Sequence, residues 1–326
     1  MPKLDADGIR GWVESLAPLF GGDKRRQWWP KYAFRFDTLQ AVVAILKSGV
    51  VLSRQECALR GIAYHDAANR GVIGNSGHAL GLVRLYFRPL TPTQFKMEGI
   101  KAAAEIPPTG EHCPVPVFLL FDLASTLAVD GVKFTDGSMA NVGRYRIGED
   151  VQFLSTIPMH LVYHDGPYTT PPGKDELKFR RHAEIVRERE LSLDTLRIVV
   201  CRTGAERDTL LHLLGDEADT WTDRVRIVPV GRGLFYRERG FHVQEVRLSP
   251  GVVHFTVYRR AFSYRVHLRI KDADTGLVLF DKGGTGKVLD RFQQPIAGQP
   301  ERVEVELTVE GCTAFHGIVT RKSVFS

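Results

Sequence analysis

Glu184 is the one carboxylate in the stretch Lys178-Phe179-Arg180-Arg181-His182-Ala183-Glu184-Ile185-Val186. Cations beside a carboxylate keep it ionised and oriented. Such a group can stabilise positive charge developing on a carbon, or accept a proton from a nucleophile. A surface Glu paired with neighbouring arginines would read the same way. Its meaning therefore depends on what the rest of the chain sets around it.

Other chemistry-bearing patterns do not survive inspection. In Asp281-Lys282-Gly283-Gly284-Thr285-Gly286-Lys287 the first glycine of a phosphate-binding loop would fall on Asp281, and no helix follows. That segment reads as a hairpin turn. Gly71, Gly74 and Gly77 do not follow a strand and open a helix, so they are not a dinucleotide fingerprint. His160 and His164 have the spacing of a metal pair on a helix, but no third ligand is near, and no metal is expected. Cys113 and Cys201 adjoin apolar or proline-rich segments and read as buried structural thiols. No nucleophile-elbow serine motif is present.

The elements that must position Glu184 follow from periodicity. Residues 9–20 have near-helical apolar spacing. Tyr32–Phe36 reads as a strand, followed by a helix with Asp37 as N-cap and Gly49 as its stop. Val50–Leu52 is a short strand, and residues 53–81 read mainly as loop. Leu82–Phe87 and the continuous apolar run Val117–Phe121 are strands, the second central and buried. A short helix over Asp122–Val129 and a Phe134–Gly137 turn come next, and residues 163–177 form a polar, proline-rich loop before Glu184. Leu196–Cys201 is a strand, Thr203 caps a helix ending at Gly215, and Val225–Val230 is a further strand. Beyond residue 240 the helical signature stops. Six short alternating segments between Val243 and Val319 predict a small all-β sandwich.

This predicts an α+β fold in three parts: an N-terminal helical extension (1–30), a mixed domain (31–238) and a β-sandwich accessory domain (239–326). The net charge of +6 is divided equally between residues 1–240 and 241–326, so no basic tail exists. It is compatible with a polyanionic partner and does not demand one. No apolar run is long enough to cross a bilayer, and residues 1–7 have no apolar signal core. With four widely spaced cysteines, a cytoplasmic protein with reduced thiols and no membrane partner is expected.

Several segments, in order, resemble the DarT-type ADP-ribosyltransferases, toxins that modify nucleic-acid bases using NAD. They are Phe34-Arg35-Phe36 with its helix to Gly49, Ile62-Ala63-Tyr64 leading to Arg70, Tyr86-Phe87-Arg88-Pro89, Phe134-Thr135-Asp136, Arg181-His182-Ala183-Glu184, and the block Leu196–Leu214 with Cys201-Arg202-Thr203. The likeness runs from about residue 30 to 232. It implies an ADP-ribosyltransferase-like split β-sheet with helices, and NAD as a substrate. It implies Glu184 and Arg70 as catalytic residues. Arg35, Tyr32, Phe36, Ala63, Tyr64 and Tyr86 would line the NAD pocket. Arg35 stands where the family often has histidine, so either the nicotinamide-ribose recognition departs from the family's or the arginine grips a phosphate instead.

Cleaving the nicotinamide–ribose bond develops oxocarbenium character, which a carboxylate stabilises. The target base must leave its stack, favouring a single-stranded substrate over duplex, and the resemblance implies DNA rather than RNA. Tyr168 would stack that base, while Lys178, Arg180 and Arg181 follow the backbone. Resemblance further implies a cognate antitoxin such as a macrodomain hydrolase. Modification of RNA or protein, or nucleic-acid binding without catalysis, are the alternatives.

Overall fold

A computed structural model describes residues 3–62, 77–108, 110–169, 171–228, 232–236 and 239–321. In chain order the first ten strands are β1 (Tyr32–Thr38), β2 (Val50–Leu52), β3 (Leu82–Tyr86), β4 (Pro116–Asp122), β5 (Val132–Thr135), β6 (Ile147–Gly148), β7 (Glu184–Glu188), β8 (Glu190–Ser192), β9 (Leu196–Cys201) and β10 (Val225–Ile227). Eight of them form one mixed sheet in the order β10-β9-β4-β1-β3-β7-β5-β6, and β2 pairs with β8 apart from it. β4 sits inside that sheet because Val117–Phe121 is apolar at every position and buried throughout.

The sheet is split. β1 pairs with β4 at seven positions, from Tyr32↔Asp122 to Thr38↔Pro116. On its other side β1 meets β3 at the single position Phe34↔Tyr86. The second half, β3-β7-β5-β6, is held together by its own antiparallel ladders.

Local chemistry moves several boundaries from those expected. The first helix is Ala6–Glu14, and a 3-10 turn, Ala17–Phe20, follows it. Pro18 cannot supply the amide a continuous helix needs, and it disfavours helical backbone at Ala17. The helix after β1 is Leu39–Ser48, capped by Thr38 rather than Asp37. Thr38 Oγ1 accepts from Ala41 N at 3.3 Å. Asp37 is occupied by Arg35, 2.6 Å away. The stretch expected as loop contains a helix, Arg54–Leu59, started by Ser53 accepting from Glu56 N. Among the described residues no helix is long and apolar enough to cross a membrane.

Seven further strands follow: β11 (His242–Ser249), β12 (Val252–Tyr258), β13 (Ser263–Asp272), β14 (Val278–Lys287), β15 (Arg291–Pro295), β16 (Arg302–Val309) and β17 (Cys312–Thr320). They make two antiparallel sheets, β11-β12-β15 and β14-β13-β16-β17. Residues 281–287, expected as a turn, are part of β14 and pair with β13 from Arg269↔Asp281 to Ser263↔Lys287. β14 is an exposed edge strand. Glycine there loses no packing, which is why a turn-like composition is tolerated.

This β-region shares one continuous hydrophobic core with the mixed sheet. Thr203 Oγ1 donates to Val243 O at 2.7 Å, and His316 N donates to Thr209 Oγ1 at 3.1 Å, both from or onto the helix Gly204–Leu214. At Gly99 and Gly240 the two backbones nearly touch. A Cβ on Gly240, whose φ is +61°, would lie 2.5 Å from the Gly99 carbonyl carbon.

Candidate active site

Glu184 opens β7 and is fully buried. Its amide donates to Thr135 Oγ1 at 3.0 Å, and that hydroxyl donates to Gly137 O at 2.7 Å. The Phe134-Thr135-Asp136-Gly137 segment, at the end of β5, therefore pins the residue in place. Asp136 fixes the segment in turn. Burial opposes its charge, but the Arg146 amide and the guanidiniums of Arg146 (2.9 Å) and Arg180 (3.0 Å) outweigh that and lower its pKa. Gly137 lets the chain close on the helix Lys174–Arg180, since a Cβ there would meet the Phe179 ring at 2.3 Å.

The Glu184 carboxylate is gripped by a residue the sequence reading did not single out. Arg84, on β3, donates through Nη2 to Oε1 at 2.7 Å and through Nε to Oε2. Met139 N adds a third donor to Oε1 at 3.1 Å. This forked pairing fixes both carboxylate oxygens. Burial opposes the Arg84 charge, but Glu184 more than compensates and raises its pKa. Arg84 stays 21% exposed while Glu184 is 1% exposed, so the pair is open on the arginine side. The signal was present in the sequence: Arg84 is the lone charge in Leu82-Val83-Arg84-Leu85-Tyr86-Phe87.

Register brings other expected residues to the same place. Tyr86 lies opposite Glu184 on one side and Phe34 on the other, at the rung joining the two half-sheets. Burial, then the Glu184 charge, raises the Tyr86 pKa. Beside that rung Arg35 Nη1 donates to Arg84 O at 3.0 Å, while its Nε holds Asp37. Arg35, Arg84, Tyr86 and Glu184 thus form one connected group where the sheet divides. Tyr32 is half-buried against Trp28, with ring centroids 6.2 Å apart. Phe36 packs on Phe118 at 5.6 Å and on Met97 and Cys113. Ala63, Tyr64 and Arg70 lie outside the described residues.

The basic run before Glu184 divides by role. Arg180 bonds Glu176 Oε1 at 2.6 Å and Asp136 O at 2.8 Å. Arg181 is buried, donates to His164 Nδ1 and Gly166 O, and covers the Tyr168 ring at 4.4 Å. These two arginines spend their hydrogen bonds inside the protein. Lys178 is exposed. With Thr93, Lys96, Asn141, Arg144 and His182 among its companions it lines a cavity of about 390 Å³. Burial lowers the His182 pKa. Its Nε2 takes Thr93 N, leaving Nδ1 to donate to Lys178 O at 2.8 Å, the pattern of a neutral ring. Both on the cavity wall, His182 lies two residues before Glu184 and Ser138 immediately before its donor Met139.

The cysteines stand apart from this group. Cys113 and Cys201 are buried, and burial pushes both thiols well up, which suits packing rather than nucleophilic chemistry.

A buried, arginine-clamped glutamate therefore stands where a mixed sheet divides. A family model for DarT, ssDNA thymidine ADP-ribosyltransferase, matches residues 34–236. The chain belongs to that family, and is accordingly an NAD-using ADP-ribosyltransferase of single-stranded DNA. Among solved structures it is similar to Thermus sp. 2.9 DarT in complex with ADP-ribosylated ssDNA, with 14% identity over 64% of this chain and 97% of that one, at a TM-score of 0.50. The same Thermus protein in complex with NAD+ matches with 14% identity over 64% and 98%, at 0.46. Thermosipho africanus DarTG in complex with ADP-ribose matches with 12% identity over 64% and 52%, at 0.48. At these identities the likeness concerns the fold. No curated protein matches the sequence.

Proposed function

We propose that Glu184 is the catalytic carboxylate of this transferase and that the target is a thymine base. The observation carrying this is the placement of a fully buried Glu184, held by Arg84 and Met139 N, where β1 and β3 part. The bond from ribose C1′ to the nicotinamide nitrogen breaks, and its electron pair neutralises the departing ring. Glu184 stabilises the positive charge left on the ribose. Oε2 receives one donor where Oε1 receives two, so Oε2 keeps capacity for a ribose hydroxyl or a proton. The thymine nitrogen that carries a hydrogen in a nucleotide is N3. It bonds to C1′ and releases that proton towards Glu184.

Arg35 and Tyr86 are read as walls of the NAD site, with Tyr32 at its margin and Phe36 supporting it from the core. Arg70, with Ala63 and Tyr64, is read as completing it. Lys178, with Lys96, is read as meeting the DNA backbone, and the cavity beside His182 supports that path. Arg180 and Arg181 position the approach to Glu184, and Arg181 holds Tyr168 where it would stack a base. Residues 239–326 are read as an accessory region. A chain that marks its own cell's DNA needs an activity that removes the mark. We infer a cytoplasmic toxin with an antitoxin partner of the ADP-ribose hydrolase class.

The test is incubation with NAD and single-stranded oligonucleotides that contain or lack thymine, read by mass spectrometry. One ADP-ribose on thymine-containing strands, lost in Glu184→Gln, is expected. An adduct that persists in Glu184→Gln would remove the catalytic assignment. A modified thymine-free strand would remove the base assignment.

A further inference from the structure

Outside the group around Glu184, three side chains from three elements converge. His212 lies on the helix Gly204–Leu214, Glu304 on β16 and His316 on β17. One ligand atom from each lies within 4.8 Å of the other two. His316 Nε2 is 3.0 Å from Glu304 Oε1, and the two imidazole centroids are 4.3 Å apart. All three residues are half-buried.

We propose that His212, Glu304 and His316 form a divalent-cation site of the zinc type, which fastens the C-terminal sheets to the catalytic sheet. Two imidazoles and a carboxylate are a donor set that suits zinc, with water in the fourth position. Ligands around a tetrahedral zinc, at metal distances of about 2.1 Å, stand ~3.4 Å from one another. The His316–Glu304 separation already matches that edge to within a few tenths of an ångström. The other edges require a small side-chain rotation.

The surroundings fit a ligand role. The His212 ring makes no hydrogen bond to a described residue, so a bound cation would replace the His316–Glu304 contact and leave the His212 side undisturbed. Glu304 Oε2 is supported by Lys271 Nζ at 3.3 Å, leaving Oε1 directed at His316. The His316 amide is anchored to Thr209 Oγ1, one turn from His212 on the same helix, so the backbones are already docked. Such outer contacts orient ligands in metal sites.

The test uses the full chain after chelator treatment, with Zn²⁺ followed by calorimetry and thermal unfolding, and Co²⁺ as a visible-spectrum probe. One equivalent of Zn²⁺ should bind, raise Tm, and give Co²⁺ the intense bands of a tetrahedral site. His212→Gln should weaken binding at least ~100-fold and abolish the Tm gain. Glu304→Gln keeps the residue's shape and its hydrogen bond to His316, and should weaken binding in the same direction. Absence of stoichiometric binding to the wild-type chain would overturn the proposal. Binding that survives both substitutions would also overturn it, as adventitious surface binding only.

Discussion

Two buried arginine–glutamate clusters occupy this molecule, and they teach different things. At Arg202 the guanidinium donates to Glu206 Oε1 from Nε at 3.1 Å and from Nη2 at 2.5 Å, with both side chains 1% exposed. Glu98 lies 3.8 Å from Arg202 Nη1, and burial above all pushes its carboxyl up to about 7. That cluster is sealed on every side. At Glu184 the carboxylate is equally buried, yet its arginine is open and stands at a break in the sheet. A buried ion pair alone is weak evidence of either stability or chemistry. What distinguishes the catalytic candidate is access from one side.

The largest difference should appear in paired glutamine substitutions. Glu184→Gln should lower the transfer rate by about 10³-fold or more while the chain stays folded, measured by initial rates and circular dichroism. Glu206→Gln should leave Arg202 with only the more distant Glu98 carboxyl, costing about 3–5 kcal/mol in denaturant unfolding, while the folded fraction stays active. If Glu206→Gln instead silenced a fully stable enzyme, the contrast between the clusters would collapse.

Arg84→Lys keeps the charge and loses the fork. We expect kcat to fall by about 10²-fold from misplacement of the carboxylate, with a smaller change in KM for NAD. Equal changes in both would mean that Arg84 binds substrate rather than orients Glu184.

The sealed cluster predicts a pH effect. The folded-state pKa of Glu98, about 7, lies above its ordinary 4.5, so the folded chain retains the proton longer. Its contribution to stability is full below about pH 4.5 and is lost as pH rises through about 7. Glu98→Gln should flatten that part of the stability–pH curve, followed by urea unfolding between pH 4.5 and 8. An unchanged slope would show that another group titrates there.

The smallest effect concerns DNA. Lys178→Ala and Lys96→Ala should each weaken oligonucleotide binding a few-fold and reduce the salt slope by about 0.7 per lysine, read by anisotropy across salt concentrations. A weakened affinity with an unaltered slope would mean that the lost contact is not to phosphate.

Much of this arrangement was legible in the residues. Glu184 drew attention through the cations before it, although two of those cations proved to serve the protein interior. The apolar run at Val117–Phe121 gave the buried strand directly. β7 was not read as a strand, because Glu-Ile-Val-Arg-Glu carries charge at both ends and its burial comes from neighbours distant in sequence. Thr38 displaced Asp37 as the helix cap because Arg35 competes for the aspartate, a tertiary contact that propensity does not record. The His212–Glu304–His316 cluster spans more than a hundred residues, so no local spacing could disclose it.

The single rung at Phe34↔Tyr86 has a mechanical consequence. Prising β1 from β4 would break seven paired positions, whereas prising it from β3 breaks one. The molecule is therefore built like two stiff plates on a narrow joint, with Glu184 bolted to one plate beside that joint. Any ligand that entered between the plates would work against the weakest seam, where one paired position stands against seven.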